Sequence, residues 1–404
     1  MPSYDLVIYG ATGFTGTLAA KYVSSFYGSK VKFAIAGRTE SKLVAMKKKL
    51  GLECDVIVAD SGDKAALVKM CKQTKVVASL AGPFARCGTL LVEACVETGT
   101  DYSDITGETN WCREMIALYD DKARKSGARI VNLCGHDSIP WDLSTYMLAK
   151  KLKEENGEEL ARIDFYDDIK SAPSGGTLET ALGIMFGSEA RSKWPASKAL
   201  GYDSLLKTPS GKRSDYNLKA KNIGYTVEVG SRGRPHRSFF FMAGVNANSV
   251  KRSNAINGYG KDVKYCEGTS FKSFFAAVFY VLGYIFYGIG IYTPPLRWLM
   301  TTFFLPKPGQ GPSEEYMDSG HLHLTGIAKG TKGTTVKSTM SFSVDPGYKD
   351  TARMVVEAAL SLADTKCEGG VLTPGACQKE VLMDRLLKTG TGFVYHEKLP
   401  SNRV

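Results

Sequence analysis

Short apolar runs alternate with amphipathic stretches through the first third of the chain. Leu6 to Tyr9 precedes a helical pattern over 14 to 26, Val31 to Ala36 one over 40 to 50, Asp55 to Ala59 one over 63 to 73, and Val76 to Leu80 one over 87 to 98. Asp101 to Ser103, a helix over 111 to 125, and Arg129 to Cys134 continue the series. Strands that alternate with helices of this length predict βαβ units, hence a doubly wound parallel sheet of the α/β class.

Past Pro140 the pattern changes. A helix over 141 to 154 and the charged break KKLKEENGEEL lead into a strand at Ile163 to Ile169. A Ser/Lys/Gly-rich stretch at 191 to 222 is followed by alternating runs at Tyr225 to Val229 and Ser238 to Val245, read as strands. Residues 321 to 344 read as two long antiparallel strands around a Gly330/Gly333 turn, and 348 to 364 and 378 to 389 as helices. The expected second unit is an α+β domain on a mostly antiparallel sheet. The division predicted is 1–140 for the first domain, 141–346 for the second, and 347–404 for helices that pack back on the first.

One stretch departs from globular patterning. Ser273 to Leu296 carries no charge over twenty-four residues and is bounded by Lys272 and Arg297, long enough to cross a hydrocarbon layer. Its four tyrosines, three glycines and Pro294-Pro295 favour a helix that lies in or dips into a lipid surface. A true span and a buried helix or dimer face remain the alternatives.

At 404 residues the chain exceeds what one ordinary core supports. Nine scattered cysteines, with no C-x-x-C pair, and five histidines give neither a disulfide framework nor a metal ligand set. No leader pattern is read at the start, so the expected location is cytoplasmic. The 52 Lys and Arg against 41 Asp and Glu give a net charge of +11, which favours anionic partners such as a phosphorylated cofactor or an anionic lipid surface. No nucleic-acid-binding module is present, and none is expected as a partner.

The candidate chemistry begins where the first strand ends. Gly10, Gly13 and Gly16, in GATGFTG with Ala11, Thr12, Phe14 and Thr15, follow a buried strand and open a helix. Glycine at these places permits a sharp turn, backbone approach to a diphosphate, and close helix packing, as a Rossmann-type dinucleotide site requires, with a plain turn as the alternative because the spacing departs from G-x-G-x-x-G. The second strand ends in Arg38, where an NAD-specific site would place an acid, so NADPH is expected rather than NADH. Asp60 ends the third strand, within reach of adenine or as a helix cap. Ala81, Gly82, Pro83 and Phe84 form a small-residue turn at the carboxyl edge, where the nicotinamide would lie. Tyr102 and Asp104 in TDYSDITGE, and Asp137 and Ser138 in GHDSIPWD, fall at the ends of the next strands. Tyr102 and Ser138 are candidate donors and Asp137 a candidate for proton transfer, with helix capping as its alternative. Asp104 and the turn Ser174, Gly175, Gly176, Thr177 are candidates for substrate contact, with packing and capping as the alternative for Tyr102 and Asp104 and a helix-entry turn capped by Thr177 as the alternative for the last.

GATGFTG, AGPFARCG, DYSDITGE, GHDSIPWD, SGGT, LPKPGQGPSEE, DPGYKDTARMVVEAALSLA and GGVLTPGACQ together resemble the saccharopine dehydrogenase-like oxidoreductases, relatives of the trans-acting enoyl reductases. The resemblance runs in order along nearly the whole chain. It implies a second domain carrying substrate and dimer contacts, so a homodimer is one assembly it allows, and association of some members with lipid droplets or membranes. His136 stands where the group commonly has an aromatic or apolar residue. The expected activity is NADPH-dependent reduction of a C=C or C=O in a lipid-like acyl substrate at a membrane or lipid droplet surface. The alternatives are an NADPH-binding scaffold at such a surface without turnover, and a saccharopine-type amino acid dehydrogenase.

Overall fold

The computed structural model describes residues 2–175, 178, 182, 186, 194–230, 235–307 and 309–397. Seven strands form the first sheet: β1 (Tyr4–Tyr9), β2 (Phe33–Gly37), β3 (Asp55–Val58), β4 (Thr74–Ser79), β5 (Asp101–Asp104), β6 (Arg129–Val131) and β13 (Gly370–Leu372). Their order is β13-β6-β5-β4-β1-β2-β3, with every pairing parallel. Leu6, Val7 and Ile8 are all fully buried, so β1 shows the continuous apolar run of a strand covered on both faces. The chain reverses its direction of winding between β1 and β4, and their carboxyl ends open a crevice there.

The connecting helices are α1 (Phe14–Tyr22), α2 (Glu40–Leu50), α3 (Lys64–Cys71), α4 (Thr89–Thr98) and α5 (Thr109–Ser126). The Asp63 side chain caps α3 by accepting from the Ala66 amide at 3.0 Å, so neither Asp60 nor Ser61 is the cap residue.

The second sheet has the order β14-β12-β11-β7-β10-β8, with β9 paired to the end of β10. Its strands are β7 (Leu160–Lys170), β8 (Asn217–Lys221), β9 (His236–Ser238), β10 (Asp262–Phe271), β11 (His321–Gly330), β12 (Thr335–Phe342) and β14 (Gly392–His396). Four pairings are antiparallel, and the two on either side of β10, to β7 and β8, are parallel. Helices α6 (Ile139–Asn156) and α7 (Ala243–Asn257) lie on its inner face, where Leu148 and Phe165 press against Gly326. One hydrophobic cluster joins Leu6, Ile8 and Ile35 of the first sheet to Phe165, Leu324 and Met340 of the second, with Met354 and Val355 of α9 (Thr351–Ser361) between.

The stretches 225–229 and 238–245 are not the strands expected. Glu228 makes only an isolated bridge to Arg237, Phe239 to Met242 form a loop, and Ala243 opens α7. The aromatic run that mimics a strand is used for ring contacts in three directions. The C-terminal stretch also divides: β13 extends the first sheet, α10 (Lys379–Lys388) follows it, and β14 pairs with β12 of the second.

The uncharged stretch forms α8 (Phe274–Tyr292), a turn at Thr293, and a short returning arm over 294–304. α8 is long and apolar enough to cross a membrane, with mean hydropathy 2.0. Ala277, Tyr280, Val281 and Tyr284 share one face. Ala277 and Val281 are buried, and Tyr280 and Tyr284 pack on Phe239 at 5.3 and 4.9 Å. Outward, Phe275, Phe279, Phe286, Trp298, Phe303 and Phe304 are each more than three-fifths exposed.

Candidate functional site

The glycine turn has the shape that a diphosphate requires. Gly10 adopts φ +78°, and a Cβ there would stand 2.7 Å from the Ala81 amide; only glycine meets both conditions. A Cβ on Gly16 would overlap the Gly10 carbonyl and Ala11, so α1 can start directly on the turn. The first turn of α1 has no side-chain cap and no acidic residue. Its N–H groups and the positive end of its dipole face the crevice beside exposed Thr12 and half-buried Gly13, Phe14 and Thr15. Arg38 is exposed at the end of β2 and makes no ion pair among the described residues. Asp60 is exposed, with Oδ1 accepting from the Gly62 amide at 2.8 Å. These groups fit a phosphorylated dinucleotide: backbone for the diphosphate and a free guanidinium for a ribose phosphate.

Across the crevice, Ala81 and Gly82 remain accessible while Pro83 and Phe84 are buried. The turn after β4 is pinned by Glu108, whose carboxylate accepts from the Phe84 and Ala85 amides at 2.6 and 2.9 Å. Glu108 was legible only as the last letter of DYSDITGE, because its partners lie more than twenty residues earlier.

Tyr102, Asp104 and Ser138 do not take the roles expected of them. Tyr102 and Asp104 have no exposed surface, and the phenol donates to Asp104 Oδ2 at 3.0 Å. Asp104 also accepts from Asn132 Nδ2 at 2.7 Å and from the Thr106 and Leu133 amides at 3.1 Å each. Burial pushes its carboxyl up to about 6, against these four donors, which pull it down. The pair therefore fixes the loops after β5 and β6 rather than touching a ligand. Ser138 is also buried and turns its hydroxyl to the Asp137 carbonyl.

Asp137 is different. It is half-buried at the mouth of α6, its carboxylate caps nothing among the described residues, and burial pushes it up to about 6. Next to it His136 lies in an aromatic stack, 5.2 Å from Trp141 and 6.5 Å from Phe240. Burial lowers His136 to about 3, so it stays a neutral ring. Phe239, the residue before Phe240, packs on the inner tyrosines of α8. Residues 239–240 thus connect the apolar helix to the wall beside Asp137.

Three separate motifs meet over the glycine turn. Phe14 stands edge-on to Tyr348 at 5.4 Å and packs on Gly311. The Tyr348 hydroxyl accepts from the Ser174 amide, and the Gly175 amide donates to the Gln310 carbonyl at 3.0 Å. Tyr348 and Gln310 carry no sequence signal beyond their motifs. Gly176 and Thr177 lie outside the described residues.

A dinucleotide crevice with an exposed cation at the end of β2 fits an NADPH-dependent oxidoreductase. The model for the saccharopine dehydrogenase NADP binding domain matches residues 6–131. A trans-acting enoyl reductase of Mycobacterium ulcerans is 35% identical over 409 residues, covering 96% of each chain. One from Mycobacterium tuberculosis is 33% identical over 414 residues, covering 97% of each. A solved saccharopine dehydrogenase (L-Glu forming) from Saccharomyces cerevisiae has the same fold, with TM-score 0.50 and 14% identity over 97% of this chain and 100% of that one. The chain belongs to the saccharopine dehydrogenase-like family, alongside its trans-acting enoyl reductases, and its cofactor is NADPH.

Proposed function

We propose that this chain reduces the conjugated C=C of a lipid-like acyl substrate with NADPH, working in the cytoplasm at a lipid droplet or membrane surface. The observation that carries the reading is the continuity from the exposed apolar face of α8, through Tyr280, Tyr284, Phe239 and Phe240, to His136 and Asp137. An apolar chain taken from a lipid layer meets rings along that route and a carboxyl at its end. The names of the enoyl reductase relatives support the choice of a C=C bond.

In the reaction, NADPH supplies a hydride. The chain's own groups hold the cofactor at the glycine turn, exclude water with the aromatic wall, and deliver a proton from Asp137. His136, a neutral ring, leaves the acyl pocket uncharged.

The test is NADPH oxidation by the full chain in lipid vesicles supplied with α,β-unsaturated acyl thioesters. Consumption of one NADPH per saturated product formed is expected. Oxidation only with glutamate and aminoadipate semialdehyde would favour an amino acid dehydrogenase instead. NADPH binding without oxidation of any carbonyl or enoyl lipid would leave a surface-bound scaffold.

A further inference from the structure

The apolar hairpin and the glycine turn are joined by one stretch of chain. α8 and its returning arm pack closely at Gly290, where a Cβ would stand 2.5 Å from the Met300 sulfur. The arm ends at Phe304, three-quarters exposed, and the next amide, that of Leu305, donates to the Met300 carbonyl at 2.8 Å. The Lys307 amide then donates to Gln310 Oε1 at 3.0 Å, and the Gln310 carbonyl accepts from the Gly175 amide at 3.0 Å. Gly311 follows at once and lies on the Phe14 ring, which a Cβ would meet at 2.4 Å. Phe14 opens α1 directly behind Gly13 of the glycine turn. At the far end, Ser313 Oγ accepts from the Tyr316 amide at 3.2 Å and starts the short helix Glu314–Asp318, whose Glu314 pairs with Lys21 of α1 at 3.0 Å.

The seat beneath this strap is built for a close fit. A Cβ on Gly175 would stand 2.0 Å from the Lys307 carbonyl, so the strap lies directly on that backbone. The seat is held in turn by Tyr348, whose hydroxyl accepts from the Ser174 amide, and by Asp345, which accepts from Ser171 Oγ at 2.6 Å and from the Tyr348 amide at 2.8 Å. The strap itself is held more lightly. Lys307 and Gln310 are exposed, and both members of the Lys21–Glu314 pair are more than half exposed, so that pair adds little. A segment fastened through exposed hydrogen bonds belongs to the least stable part of a fold, where opening costs little.

We propose that this strap, through Leu305–Lys307 and Gly309–Ser313, couples lipid contact to cofactor binding: seating the hairpin on a lipid surface fixes the strap over the glycine turn and tightens the hold on NADPH. This rests on the lipid-surface reading above and names a regulation of that same site. Trp298, Phe303 and Phe304, each more than three-fifths exposed, enter the lipid and fix the arm one residue before the strap begins. With that end already fixed, less conformational freedom is lost when the strap closes with a cofactor beneath it. Closed on Phe14 and Gly175, the strap shields a diphosphate at the glycine turn from water, where its contacts with the N–H groups of α1 are stronger. The coupling is reciprocal, so NADPH must tighten lipid binding by the factor by which lipid tightens NADPH.

The experiment titrates NADPH into the full-length chain with and without vesicles of phosphatidylcholine and phosphatidylserine, and floats the same vesicles on a density gradient with and without NADPH. Vesicles should lower the Kd for NADPH by about 10-fold, and NADPH should lower the vesicle concentration for half-maximal flotation by the same factor. Both readouts use the wild-type chain, so neither depends on a variant that folds. The variant Gln310→Gly removes the Lys307 tie at an exposed position. It should float as the wild type does, while the tightening by vesicles falls below about 3-fold. A wild-type Kd that is the same with and without vesicles, in a chain that floats, overturns the coupling and leaves the lipid contact standing. Gln310→Gly tightening equal to that of the wild type overturns the strap as its route. A chain that does not float at all removes the lipid reading, and the coupling falls with it.

Discussion

Two single residues carry consequences that can be measured separately. Arg38 is exposed at the end of β2 and makes no ion pair among the described residues, which leaves its guanidinium open to a ligand. Arg38→Ala should weaken NADPH binding by ~10- to 100-fold, the loss of one charge-assisted contact, and leave NADH binding nearly unchanged; titration calorimetry with both cofactors reads the difference. His136 is a folding matter. Its folded pKa of about 3 lies below the ordinary 6.5, so between these values the unfolded chain binds a proton that the fold refuses. Stability from this ring is complete above pH 6.5 and is lost as pH falls toward 3, by up to about 1.4 kcal/mol per pH unit. His136→Phe keeps the stack with Trp141 and Phe240, so its melting temperature should fall less steeply than that of wild type between pH 6.5 and 5. Equal slopes would mean that another group sets the acid sensitivity. The glycine turn and Arg38 were legible in the sequence because their constraint is local: a turn, a helix start, a strand end. Glu108 and Tyr348 were not, since each acquires its place in the site from partners far away in sequence.

At the scale of elements, the same contrast explains which segments were read correctly. β11 and β12 alternate openly and turn at glycines, and both lie where the pattern puts them. α7 hides itself by burying Asn246, Ser249, Arg252, Ser253 and Asn254, so it has no apolar stripe to find. Its buried polar groups hold neighbouring segments instead: Arg252 donates to the Val371 carbonyl at 2.8 Å and Ser253 shares a 2.6 Å hydrogen bond with Thr373. α8 was recognised as apolar, and the structure adds which face is free. Removing it whole would strip Tyr280 and Tyr284 from the sheet, so the informative variant changes only outward rings. Phe275, Phe279 and Phe286 changed together to Ser would remove about 2 kcal/mol of lipid transfer per ring. The triple variant should keep NADPH affinity and melting temperature but no longer float with lipid vesicles. Unchanged flotation would take the lipid contact away from α8.

Over the whole molecule, the chain is woven so that neither sheet closes without the other. α6 leaves the first sheet and covers the second, α9 returns between them, β13 completes the first, and β14 completes the second. Arg129 shows the effect at one point: it pairs with Asp101 and donates to the Thr365 carbonyl at 2.7 Å, so the edge of the first sheet depends on the C-terminal segment. Over the cofactor crevice, Phe14 from the first sheet meets Tyr348 and Gly311, which connect to strands of the second. A ligand bound at Gly10 to Gly16 therefore reports to both sheets. Because NADPH binds the folded state alone, at 100 times its Kd it should add about 2.7 kcal/mol to the stability of whatever unfolds as a unit. Because the cluster on one face of the first sheet continues into the second sheet, that unit is expected to be the whole chain. Calorimetry should give a single transition that moves upward intact with NADPH, tracked equally by tryptophans of the first sheet (Trp111) and of the α6 layer on the second (Trp141). Two transitions, with only the Trp111 signal shifted by cofactor, would mean that the second sheet unfolds independently and that the contacts over the crevice do not couple them.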